Sequence, residues 1–114
     1  MSKKKVVITG LGVLAPNGNN TNKFWESLCQ GRSGINAITY FDTEGFSVKI
    51  AGELDGFKAE EHLEPSQIRK LDPFSMFALV AAQEAIENAK INWNSINLHQ
   101  VGVILGTGVG GIYT

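Results

Sequence analysis

Val6-Val7-Ile8-Thr9-Gly10-Leu11-Gly12-Val13-Leu14-Ala15, followed at once by Pro16-Asn17-Gly18, is the stretch on which the fold turns. An apolar, β-branched run ending in Gly10-x-Gly12-x-x-Ala15 has the outline of a dinucleotide-binding fingerprint. That fingerprint needs a helix opening at the second glycine, so that free N–H groups point at a pyrophosphate. Pro16 biases Ala15 away from the helical region and Asn17-Gly18 signals a turn, which delays the first helix start to Asn20 or Thr21. The run therefore reads as an inner strand whose glycines serve close packing. Lys3-Lys4-Lys5 ahead of it imitates a secretory leader, but Thr9, Gly10 and Gly12 interrupt the apolar stretch and Pro16 would sit just past any cleavage point. No other run is long and apolar enough to span a membrane.

Working outward, the elements alternate. A helix is expected from about Asn22 to Gln30, with Phe24, Trp25 and Leu28 as its apolar stripe and Gly31 as its stop. Gly31 to Gly45 is turn-rich. Ser47 to Leu54 alternates Val48, Ile50, Gly52 and Leu54 against Lys49 and Glu53, the pattern of a short half-buried or edge strand. After a polar stretch from Asp55 to Lys70, Asp72 and Pro73 supply an N-cap and a first-turn proline for a helix from Phe74 to about Ala89. Met76 through Ala82 is apolar on all sides of that helix, which calls for burial on more than one face. Asn92 to Gln100 is a polar connection, and Val101-Gly102-Val103-Ile104-Leu105 is a continuous apolar strand of the kind buried in parallel sheets. Strand, helix, strand, helix, strand with two long crossovers predicts an α/β fold on a mostly parallel sheet.

Composition bounds the function. With 43% hydrophobic residues, 18% charged residues and a net charge of −1, the chain is globular and has no global attraction to nucleic acid or to anionic lipid. One cysteine excludes an internal disulfide and a cysteine-based metal site, and favours a reducing, cytoplasmic setting. His62 and His99 lie far apart with no zinc-type spacing, and each reads as a surface or loop histidine. Gly106-Thr107-Gly108-Val109-Gly110-Gly111 is a second G-x-G-x-x-G, with only Ile112-Tyr113-Thr114 after it. It reads as a glycine-rich turn leaving a central strand rather than a phosphate cradle. The all-round apolar helix and the parallel strand without a following helix predict that the chain is the N-terminal piece of a larger fold.

Val6-Val7-Ile8-Thr9-Gly10-Leu11-Gly12, Pro16-Asn17-Gly18, Phe24-Trp25, Gly31-Arg32-Ser33-Gly34-Ile35, Phe41-Asp42, Arg69-Lys70-Leu71-Asp72 and Gly106-Thr107-Gly108-Val109-Gly110-Gly111 together resemble the start of a β-ketoacyl-acyl-carrier-protein synthase, closest to type II. The resemblance runs from residue 3 to residue 114. It implies a thiolase-like fold, two similar α/β halves in a five-layer αβαβα arrangement with a mostly parallel or mixed sheet, usually as a homodimer. Residues 1–114 would then be part of the N-terminal half-domain. It also implies a decarboxylative Claisen condensation in fatty acid biosynthesis: an acyl group moves from acyl carrier protein to a cysteine, malonyl-carrier protein loses CO2, and the carbanion attacks the acyl-enzyme. No cofactor, metal, nucleic acid or membrane partner is implied.

That chemistry needs a thiolate at a helix N-terminus and two histidines directed at the thioester oxygen. In the family those residues lie downstream of every position in this chain, so the chain alone is expected to be inactive, with no catalytic residue of its own. Cys29 falls near the end of the first helix, where the negative partial charge disfavours a thiolate, and reads as a small packing residue. Two features carry over from the resemblance. Arg69-Lys70 matches basic residues that contact the acidic second helix of acyl carrier protein. A further lysine that the family often has a few residues earlier is replaced here by Glu64-Pro65-Ser66-Gln67. Val109 matches a residue near the closed end of the acyl pocket. Ordinary surface charge and ordinary packing are the competing readings of these positions. At the level of the whole protein, the alternatives are a polyketide-type ketosynthase, a non-condensing chain-length-factor or decarboxylase relative and, further off, a dinucleotide-binding domain.

Overall fold

A computed structural model describes residues 3–111. In chain order it has helix α1 (Thr21–Cys29), strands β1 (Ile35–Ala37) and β2 (Ile50–Gly52), a single-turn helix α2 (Pro65–Ile68) and the long helix α3 (Pro73–Ala89). Short 3-10 turns at Ala59–Glu61, Trp93–Ser95 and Leu98–Gln100 complete the connections.

Local chemistry sets both long helices. Asn20, in extended backbone at φ −162°, accepts the Lys23 N–H on its side-chain oxygen at 2.9 Å and so caps α1. At the other end Gly31 turns left-handed at φ 65°, its N–H bonding Leu28 O at 3.1 Å while Arg32 N–H reaches back to Ser27 O at 2.8 Å. That pair of bonds is a Schellman closure, and its positive φ suits glycine. α3 starts on Pro73 after an extended Asp72 and ends at Lys90, left-handed at φ 51°. The apolar stripe expected on α1 is corrected: Trp25 and Leu28 are exposed, while Ser27 is buried and Thr21 and Phe24 are half-buried, so the inward face lies one step round the helix.

The first segment lies along α3 with its glycines against the helix backbone. A Cβ at Gly12 would run into the carbonyl oxygen of Ala81 and come within 2.7 Å of Ala85 N, and a Cβ at Gly10 would meet Ala85 O and stand 2.7 Å from Ala89 Cβ. Close packing is thus what the first glycine pair serves. Helix side chains take the segment's N–H groups: Leu11 donates to Asn88 Oδ1 at 3.2 Å and Val13 to Glu84 Oε2 at 2.8 Å. Pro16-Asn17 forms the tight turn its sequence announces, closed by reciprocal Ala15 and Gly18 bonds of 3.0 and 2.9 Å.

The sheet differs from expectation. Its ladder is antiparallel, with Ile35 opposite Gly52 and Ala37 opposite Ile50, and it recruits Ile35–Ala37 from the segment read as turns. The Ser47 to Leu54 strand contracts to Ile50–Gly52. Val6–Gly12 and Val101–Leu105 are not sheet strands, and no parallel ladder forms among the described residues. A strand exists by its ladder, and no described strand pairs with either run. Their side chains face outward instead, Val6 94% and Ile104 97% exposed.

Burial is correspondingly thin. Val80 on α3 is the one buried hydrophobic residue among those described, and Phe57 and Phe77 form an edge-to-face pair with centroids 5.2 Å apart. The surface of 9677 Å² compares with about 6,100 Å² for a compact monomer of this mass. The radius of gyration, 17.5 Å, compares with about 13 Å for a compact domain of this length.

Candidate functional site

The first turn of α3 stands between the two features singled out by sequence. Arg69 follows α2 directly as its C-cap, its N–H on Pro65 O at 3.2 Å, and Lys70 N–H bonds Gln67 O at 3.0 Å. α2 is itself pinned by Gln67, whose side-chain oxygen accepts the Glu64 N–H at 3.1 Å. Both basic side chains are exposed, and neither joins an ion pair among the described residues, where Lys58–Glu61 at 3.5 Å is the pair formed. A partner's carboxylates would meet two uncommitted cations.

Beyond Lys70 the chain enters α3, and there an open cleft of about 810 Å3 lies against the helix start. Leu54, Phe57, Phe74, Met76 and Phe77 make its apolar wall, and Gly110 and Gly111 border it. Gly110 is left-handed at φ 75°, and a Cβ there would sit 3.9 Å from Phe74 Cζ and 3.8 Å from Thr107 Cγ2. Val109, the residue just before, is 75% exposed rather than packed. The structure thus brings the second glycine-rich segment to the helix that follows Arg69-Lys70.

Cys29 is the last residue of α1 and is exposed, which corrects its reading as a packing residue. His62 caps the 59–61 turn and stacks on Phe57 with centroids 5.7 Å apart at 4°. His99 N–H bonds Asn97 Oδ1 at 3.1 Å, and both histidines are exposed. No group of three metal-ligating side chains gathers among the described residues, and no described helix is long and apolar enough to cross a membrane.

Two carboxylates that sequence reading passed over organise the scaffold. Glu84 places Oε2 on Val13 N–H and Oε1 on Thr21 N–H, each at 2.8 Å, tying the first segment and the start of α1 to α3. Its one signal was a charge close behind an unbroken apolar run. Glu53 accepts from Thr39 Oγ1 at 2.7 Å and from the N–H groups of Thr39 and Tyr40 at 3.0 and 3.2 Å. Chiefly the Thr39 hydroxyl, opposed by desolvation and helped by the Thr39 and Tyr40 N–H groups, holds its carboxyl below the ordinary glutamate value.

Residues 3–114 match the model of the β-ketoacyl synthase N-terminal domain, and the chain belongs to that family. It is 43% identical over 111 residues to a 3-oxoacyl-(acyl-carrier-protein) synthase 2 of Staphylococcus aureus, and 40% identical over 112 residues to the protein of that name from a Synechocystis species. These alignments cover 97% and 98% of this chain and 27% of each relative. The chain therefore spans about a quarter of the length of the relatives it matches. Among solved structures, the ishigamide ketosynthase/chain length factor superposes with a TM-score of 0.70 at 30% identity, over 79% of this chain and 22% of that one.

Proposed function

We propose that residues 1–114 are the N-terminal part of a type II 3-oxoacyl-(acyl-carrier-protein) synthase of fatty acid synthesis, an acyltransferase of thiolase-like five-layer architecture acting in the cytoplasm as a homodimer. The 43% identity across 97% of the chain to a protein of that name carries the reading. In the complete enzyme a cysteine thiolate takes the acyl group from its carrier, malonyl-carrier protein releases CO2, and the carbanion displaces the thiolate to give the 3-oxoacyl product. This chain's share is recognition and scaffold. Arg69 and Lys70, exposed and free of ion pairs among the described residues, receive the acidic face of the carrier protein, and charge complementarity steers that encounter. Val109 stands near the closed end of the acyl pocket. Cys29, His62 and His99 take no part in the chemistry, and the chain by itself has no condensing activity.

The test is steady-state kinetics of the complete enzyme. Arg69→Glu with Lys70→Glu raises KM for malonyl-carrier protein several-fold with kcat nearly unchanged, and Val109→Phe blocks long acyl primers while sparing short ones. An unchanged KM in the folded double variant rejects the docking role, and equal turnover of both primers by Val109→Phe rejects the pocket role. The likeness to a ketosynthase/chain length factor supports a second reading, a relative that keeps the fold without the nucleophile. Iodoacetamide labelling of the complete protein separates the two, because only a true synthase loses activity on alkylation of a cysteine beyond residue 114.

A further inference from the structure

We infer that Asn17-Gly18 is a modification site, at which asparagine converts to aspartate and isoaspartate, and that the turn it forms holds this reaction off while the protein is folded. The inference concerns the chain's own chemistry and does not rest on the acyl-transfer reading.

An asparagine followed by glycine meets the least steric hindrance to this reaction, because glycine has no side chain to shield its amide. The Gly18 nitrogen attacks Asn17 Cγ, the Cγ–Nδ2 bond breaks, and ammonia leaves with the proton of the Gly18 N–H. Water then opens the five-membered imide at either carbonyl, giving aspartate or isoaspartate and a new negative charge. Ring closure needs Gly18 N nearly eclipsed with Asn17 Cβ about the Cα–C bond.

The turn opposes that geometry. Ala15 O accepts the Gly18 N–H at 2.9 Å, and Ala15 N–H donates to Gly18 O at 3.0 Å. That closing bond, Pro16 at the second position and no positive φ at Asn17 make the turn type I. Its third residue has ψ of about 0°, which eclipses Gly18 N with Asn17's own N and leaves Cβ roughly 120° away. The proton that the nucleophile must lose is also engaged on Ala15 O. Neighbouring backbone keeps the turn closed. A Cβ on Gly34 would come within 2.6 Å of Asn17 N, one on Gly52 within 2.9 Å of Pro16 Cγ, and one on Gly18 would strike Phe24 N. The turn thus lies between the start of β1, the end of β2 and the opening of α1. Asn17 is half-buried there, its Nδ2 donating to Arg32 O at 3.5 Å. Conversion therefore goes through the opened turn, at the rate of a free peptide multiplied by the opened fraction.

The experiment incubates the complete protein and a free peptide of residues 6–23 at mildly alkaline pH, and reads aspartate and isoaspartate at residue 17 by peptide mapping with mass spectrometry. Expected is conversion in the folded parent about tenfold slower, or more, than in the peptide. Pro16→Ala frees the φ that proline fixes, and Gly34→Ala presses a methyl on Asn17 N, so each should convert several-fold faster than the parent while circular dichroism shows it folded. If Gly34→Ala does not fold, Pro16→Ala decides. A parent rate equal to the peptide's overturns the proposal, as does a peptide that does not convert. A folded Pro16→Ala that reacts as slowly as the parent also overturns it, because the protection would then lie outside the turn.

Discussion

Glu53 shows how one carboxylate orders a stretch of loop. Four donor contacts from Thr39 and Tyr40 converge on it, so the 38–40 segment leaving β1 is fixed by an acceptor from the chain that follows β2. Its carboxyl sits below the ordinary range, mainly through the Thr39 hydroxyl, so the folded state prefers the ionised form. The contribution is therefore complete above the unfolded value, about 4.3 for a glutamate, and fades as pH falls through the lower folded value. Acidification below about pH 4 should release the Thr39 and Tyr40 amides to solvent exchange, and Glu53→Gln should flatten that dependence. Amide exchange followed by NMR across an acid titration measures both, and an identical acid response in Glu53→Gln would count against the assignment. Alternation sets Glu53 on the outward side of a strand from Ser47 to Leu54, whereas β2 ends at Gly52 and Glu53 is half-buried, and no local pattern announces that its donors belong to a segment fourteen residues earlier.

At the level of elements, α3 does work usually given to a neighbouring strand. Glu84 and Asn88, one helical turn apart, meet the N–H groups of Val13 and Leu11, two residues apart on extended chain, because a turn of helix and a two-residue strand step are of similar length. Glu84→Ala leaves the part-buried Val13 and Thr21 N–H groups without their acceptor, and the complete protein should lose on the order of 1–3 kcal/mol. Denaturant unfolding would record this as a lower midpoint at constant slope, with faster amide exchange at Val13 and Thr21 together. An unchanged midpoint would show that water replaces the carboxylate without loss. Both long helices were legible beforehand because their signals are local: Asn20 and Gly31 bound α1, and Pro73 opens α3. The sheet was not. Ile35–Ala37 pairs across an intervening loop, and nothing in those three letters names Ile50–Gly52 as its partner. For the candidate site, Arg69-Lys70 and Val109 stood out by family likeness, whereas the cleft that Phe74 and Gly110 both line joins residues thirty-six positions apart and appears only in three dimensions.

For the molecule as a whole, apolar surface left open is the dominant property. Val6, Ile8, Val103, Ile104 and Leu105 are each more than 70% exposed and lie on extended runs with no ladder among the described residues. Unpaired apolar strands of this kind invite pairing with other chains. Expressed as these 114 residues, the protein should bind the dye ANS and elute as a broad, associated species in gel filtration. A sharp monomer with a radius of gyration near 13 Å and no dye binding would contradict this. At the opposite extreme of packing stand Gly10 and Gly12 against Ala81, Ala85 and Ala89. Neither side of that contact can enlarge alone, since a methyl at Gly12 would strike the helix carbonyl, and a bulkier residue at Ala89 would strike the backbone at Gly10. A letter pattern shared with nucleotide-binding proteins here marks where a helix backbone leaves no room for a side chain, so a screen for cofactor sites should ask what occupies the space beside each glycine before it counts glycines.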